Sequence, residues 1–108
     1  MADAKGDKPD ARVLLGSLVG REIPTMTGKP NRVLRLEGKD VIVATGKSRS
    51  GKPVPVADIQ DAIDRLWRDG KLEISVASVG YRSAFVGAVL QTILRTVSTT
   101  QPRCIRLA

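Results

Sequence analysis

Gly46-Lys47-Ser48-Arg49-Ser50-Gly51-Lys52 reproduces the first seven positions of a Walker A phosphate loop, GxxxxGK[ST]. In that motif a strand runs into a loop whose backbone N–H groups wrap the phosphates, a helix opens at the Lys, and the next hydroxyl binds the metal. Here the hydroxyl position is Pro53, which offers neither an oxygen for magnesium nor an N–H for a phosphate, and Pro55 follows. Prolines so placed oppose a helix opening at Lys52, so nucleotide hydrolysis is not expected. What remains is a cationic loop with two glycines, Gly46 and Gly51, at which backbone can approach an anion closely. Lys47, Ser48, Arg49 and Lys52 are therefore candidate contacts to the phosphates of a polymer.

Other catalytic chemistry is sparse. The chain has no histidine, which removes His-metal nucleases, Ser-His-Asp and Cys-His nucleophiles and most zinc sites. The single cysteine, Cys104, permits no internal disulfide and reads as a core or edge thiol in a reducing compartment. Pro9-Asp10 and Glu37-Gly38-Lys39 match the text of a PD-(D/E)xK nuclease, whose chemistry needs both carboxylates on one metal with the Lys beside the attacking water. Asp10 reads as a helix start and Glu37 as a strand end before a turn, so convergence is not expected. Asp58, Asp61 and Asp64 lie along one helical face opposite Ile59, Ile63 and Leu66, which reads as a solvated face rather than a metal cluster. Trp67 borders that apolar stripe and reads as partial core rather than a stacking platform. The expectation is a non-enzyme with no metal and no cofactor.

A second anion-binding constellation is "GYRSAF", residues 80 to 85. Ser83 is placed to cap a helix, whose first N–H groups and positive dipole end favour an anion. Tyr81 and Arg82 just before it are suited to clamp a phosphate, or to stack on a base while the guanidinium reaches a base edge. The alternative is that Tyr81 packs on a sheet and Arg82 pairs with a surface acid.

Eighteen Lys and Arg against eleven Asp and Glu give a net charge of +7. From 21 to 52 there are eight bases (Arg21, Lys29, Arg32, Arg35, Lys39, Lys47, Arg49, Lys52) and three acids (Glu22, Glu37, Asp40). The segment 53 to 80 is acidic, and after residue 80 come Arg82, Arg95, Arg103 and Arg106 with no acid. If the two basic blocks meet in space they form the positive face of a nucleic-acid binder. Double-stranded DNA is the expected partner, contacted by Arg32, Lys47, Ser48, Arg49, Lys52, Tyr81, Arg82 and Ser83. RNA is a near alternative, and three aromatics in all disfavour single-strand stacking.

These residues need a scaffold. A chain of 108 residues suits one small domain, here residues 10–108 after a polar, disordered start at 1–9. "DARVLLGSLVG" predicts a short helix with Asp10 as N-cap and Gly20 as stop. "NRVLRLE" and "VIVAT" predict a hairpin turning at Gly38-Lys39-Asp40. "VADIQDAIDRLWRDG" predicts the clearest helix, with Val56, Ile59, Ile63 and Leu66 on one face, Asp61–Arg65 and Asp64–Arg68 as i,i+4 pairs, and Gly70 as its end. "KLEISV" alternates as a strand, "SAFVGAVLQTILR" carries a wide apolar helical stripe, and "PRCIRL" reads as a closing strand. The sum is an α+β domain, a small mostly antiparallel sheet with about three helices.

"GREIPTMTGKPNRVLRLEGKDVIVATGKSRSGKPVPVADIQDAIDRLW" followed by "GYRSAFVGAVL" resembles the N-terminal module that precedes HNH nuclease domains in McrA-like, modification-dependent restriction endonucleases of actinobacteria. The resemblance spans roughly residues 13 to 95. It implies DNA binding with sensing of modified DNA, cleavage being left to a fused or separate nuclease domain, and by position it singles out Asn31, Thr45, Lys47, Ser48, Tyr81, Arg82 and Ser83. The rival reading is a protein-interaction or homodimerisation module that uses the apolar face of the helix at 83–95. No run of about 18 apolar residues is present to span a membrane, and neither is a secretory leader, so a cytoplasmic location is expected.

Overall fold

A computed structural model describes residues 8–25, 30–46, 49–75, 83–93, 96–100 and 103–107. In chain order the elements are α1 (Ala11–Leu18), β1 (Glu22–Pro24), β2 (Pro30–Glu37), β3 (Asp40–Ala44), β4 (Lys52–Pro55), α2 (Val56–Asp69), β5 (Lys71–Glu73), α3 (Ser83–Gln91), β6 (Thr96–Thr100) and β7 (Arg103–Leu107). The class is α+β, as the sequence predicts. Its strands divide between two antiparallel sheets, one ordered β1-β2-β3-β4 and the other β5-β7-β6.

Local signals set most boundaries. Asp10 caps α1, its carboxylate accepting from Val13 N at 3.0 Å. Gln60 of α2 reaches across to accept from Ala11 N at 2.7 Å, so a second donor at that end is satisfied by tertiary contact. Two residues, Gly38 and Lys39, turn the hairpin between Glu37 and Asp40, which face each other across it, and Gly38 has φ +61°. Gly70, at φ 79°, ends α2 by donating its N–H to Leu66 O, the left-handed close that glycine permits without strain.

The core is aliphatic. Leu15 of α1, Val33, Val41 and Val54 of the four-stranded sheet, Ile59, Ile63 and Leu66 of α2, and Val89 and Leu90 of α3 are all buried in one cluster. Ile105 and Leu72 bring in the second sheet. Trp67 is 7% exposed and belongs to the same cluster, which leaves its ring unavailable for base stacking. The apolar stripe of α3 (Phe85, Val86, Ala88, Val89, Leu90) is buried as well. A partner therefore cannot dock on that stripe without displacing the domain's own core.

Three differences from the sequence reading have physical causes. Residues 52–55 form a strand despite two prolines, because the strand is at a sheet edge where missing donors cost nothing. Helix α3 ends at Gln91, and the chain turns back as β6, a strand of Thr and Ser around the single apolar residue Val97, with little apolar period to mark it. Lys8, assigned to a disordered start, pairs with Asp64 at 2.8 Å.

That pair sets a pH prediction. The Asp64 carboxyl is held below its ordinary value of 3.8 chiefly by its hydrogen bond from Lys8, then by the one from Gln60. A depressed carboxylate contributes stability that is present above the unfolded value and is lost as pH falls through the lower folded one. Asp64→Asn should therefore flatten the melting temperature against pH below pH 3.8, while leaving the profile near neutrality almost unchanged. An unaltered acid limb would reject the assignment.

Candidate nucleic-acid interface

The four-stranded sheet has a core face and an outer face. Asn31 and Val33 of β2 point to the core, and Arg32 between them points outward with its register partners Glu22 and Ala44. A β-bulge between Val33 and Arg35 adds Leu34 as an extra residue and keeps Leu34 on the outer side, where it helps line a cleft with Glu22, Pro30, Arg32, Ala44, Thr45, Gly46 and Arg49. The cleft has a volume of about 350 Å³. Its floor is apolar and its rim carries two guanidinium groups and one carboxylate.

The register brings the described cationic candidates to one end of this sheet. Arg32 pairs with Ala44 and Lys52 with Val43, so the exit of β3, the entry of β4 and the connection bearing Arg49 lie together. Strand alternation turns Lys52 to the side shared by Val43 and Val54, while Arg32 is on the other. Lys52 flanks the cleft from around the sheet edge and does not line it. Arg32 Nη1 donates to Gly20 O at 3.0 Å, which ties the guanidinium to the turn before β1. Arg49 and Lys52 enter no ion pair among the described residues, and neither does Glu22. Arg35, by contrast, is occupied by Glu37 at 2.8 Å.

Lys47, Ser48, Tyr81 and Arg82 lie outside the described residues, as does the side chain of Ser83. Ser83 opens α3. This helix packs against β1 as well as α2, β6 and β7, on the core side where Ile23 of β1 is buried. Helix α3 is thus on the core side of the sheet and the cleft on its outer side. Of the second basic block, Arg106 is exposed beside its register partner Lys71 on the three-stranded sheet.

The Walker A resemblance is resolved by topology. The chain leaves β3, crosses 45–51, and returns as antiparallel β4 at Lys52, with helix α2 opening only at Val56. A phosphate loop needs the helix at the Lys; here there is a strand. Gly51 also has a packing role that the sequence did not reveal. Its φ is +92°, and a Cβ there would come 2.5 Å from Ile42 Cγ2 and 2.8 Å from Leu34 Cδ1. The backbone at Gly51 lies directly on two outer-face side chains, which is why Ile42 is only 8% exposed on that side. Gly46 has open space around it.

The nuclease-like pair is otherwise engaged, Asp10 as the cap of α1 and Glu37 with Arg35. Among the described residues no group of three or more acidic or thiol side chains is close enough to hold a metal, and no helix is long and apolar enough to cross a membrane. Asn31 is buried at 7% exposure, a structural position, whereas Thr45 is on the cleft rim. Sequence reading missed Glu22 and Leu34 as cleft residues; Glu22 was legible only once β1 was known to pair with β2. Comparison with protein-family models, curated proteins and solved structures found no match.

Proposed function

We propose that this domain binds double-stranded DNA, with the basic end of the four-stranded sheet as its phosphate grip. One observation carries the reading: at one end of the four-stranded sheet Arg32 and Arg49 line an open cleft and Lys52 flanks it from the other face, and Arg49 and Lys52 have no acidic partner among the described residues. Unpaired cations on a chain of net charge +7 fit a polyanion, whose phosphates supply most of the affinity. Lys47 and Ser48 belong to the same connection. Tyr81, Arg82 and Ser83 supply the second, more selective contact. The resemblance to the module of modification-dependent endonucleases extends the proposal to sensing modified DNA for a nuclease domain.

The test is fluorescence anisotropy on duplexes of identical sequence, modified and unmodified, with an RNA duplex as competitor. Arg49→Ala and Lys52→Ala should each weaken binding evenly across sequences and lower the salt slope by about one. Arg82→Ala should cost about 1–3 kcal/mol and do so unevenly, depending on sequence or modification. Binding untouched by the first two variants, or preference for the RNA duplex, would remove the DNA reading.

A further inference from the structure

The two sheets close their edges differently. Just past β4, Val56 N donates to Lys39 O at 2.9 Å, so residues 52, 54 and 56 turn their N–H groups toward β3 and the missing donors of Pro53 and Pro55 fall on the open side. Prolines and a lysine on an outer strand block pairing with another chain. Strand β6, the outer strand of the second sheet, has no such guard. Its five residues, Thr96-Val97-Ser98-Thr99-Thr100, contain no proline, glycine or charge, and all but Ser98 are β-branched. Val97 is 51% exposed.

The hydrogen-bond direction of β6 follows from its neighbours. Leu107 N donates to Gly70 O at 2.9 Å, on the β5 side, so Arg103, Ile105 and Leu107 address β5 while Cys104 and Arg106 address β6. Their register partners Val97 and Thr99 therefore spend their backbone groups on β7. Thr96, Ser98 and Thr100 turn outward. Thr96 N is taken by Ile93 O at 3.1 Å, which leaves Ser98 and Thr100, among the described residues, as the strand's outward donors.

We propose that β6 pairs antiparallel with β6 of a second copy of this chain, about a two-fold axis at Ser98, to give a continuous six-stranded sheet. An antiparallel strand is complementary to itself: Ser98 faces its own copy and exchanges both N–H···O bonds, Val97 faces Thr99, and Thr96 faces Thr100. The net positive charge does not forbid the approach. The two Arg106 side chains stand three strand spacings apart, about 14 Å, beyond the ~8 Å screening length at physiological ionic strength. Pairing stops at two copies because the opposite edge, β5, is three residues long and carries Lys71 and Glu73. A seam of five residues is small, so the dimer is weak, with a dissociation constant on the order of 0.1–1 mM.

Sedimentation of the full chain over that concentration range, with amide hydrogen exchange in parallel, tests this. The expected result is a monomer–dimer equilibrium in which the Ser98 and Thr100 amides gain protection with protein concentration, and which added salt strengthens. Ser98→Pro, which gives β6 the guard that Pro53 and Pro55 give β4, should raise the dissociation constant at least about tenfold. Should that variant fail to fold, exchange on the wild type decides alone. A monomer throughout the range overturns the proposal. So does a dimer without concentration-dependent protection at Ser98 and Thr100, which would place the interface elsewhere, and so does protection independent of concentration, which would mean that the strand is covered by its own chain.

Discussion

Raising salt from about 50 to 200 mM should lower the affinity for duplex DNA by on the order of a thousandfold, if about six phosphates are neutralised. Each phosphate contact releases condensed counterions, so log affinity falls along log salt with a slope near −0.9 per contact. Arg32, Lys47, Arg49, Lys52 and Arg82 are the cations proposed for five of those contacts, and hydrogen bonds proposed from Ser48, Tyr81 and Ser83 should be left nearly untouched by salt. The experiment is an anisotropy titration at four or more salt concentrations. The double variant Arg49→Ala/Lys52→Ala should lose about two units of slope and bind DNA more weakly at low salt than the wild type. A flat salt profile would show that cations do not carry the binding, and the DNA proposal would fall with it.

The second large effect is on folding. Gly51→Ala should destabilise the domain by about 2–5 kcal/mol, the sum of about 1–2 for an L-residue held at positive φ and about 1–3 for overpacking. The added methyl would press on Ile42 Cγ2 and Leu34 Cδ1 at 2.5 and 2.8 Å. Relief means lifting the β3–β4 connection off the sheet and uncovering Ile42. Against a total stability of ~5–15 kcal/mol for a small domain, such a loss is a large fraction. Gly46→Ala is the internal control: nothing lies within 4 Å of its Cβ position and its φ is not positive, so it should fall within about 0.5 kcal/mol of wild type. Urea unfolding of the two variants separates the readings. Equal stability would mean that the glycines serve ligand approach and not packing.

These two expectations divide the GKSRSGK segment. Its lysines and arginine are the cations proposed for a polyanion, while its second glycine seats the backbone on Leu34 and Ile42. The motif's spacing alone does not distinguish those roles, because a glycine wanted for phosphate approach and one wanted for close packing are the same letter.

Much of the scaffold is legible without coordinates. The periodicity of Ile59, Ile63 and Leu66, the left-handed Gly70 after α2, the Asp10 cap and the Gly38 turn are local choices, each decided by backbone or side-chain chemistry within a few residues. β6 is harder to read, since Thr-Val-Ser-Thr-Thr alternates too weakly to announce a face. β4 is masked by its prolines, which argue against a strand until the strand is known to be at an edge.

The sequence by itself determined the class of the domain, the placement of its helices and hairpin, its excess of cations and its lack of histidine chemistry, because all of these depend on composition or on neighbours along the chain. The tertiary structure decided the rest. Pairing of β1 with β2 set Glu22 beside Arg32, the bulge at Leu34 shaped the cleft floor, and strand register gathered Arg32, Arg49 and Lys52 at one end while turning Lys52 to the opposite face. Those outcomes follow from which strand lies beside which, and contacts between residues far apart in the chain leave no local signature to read.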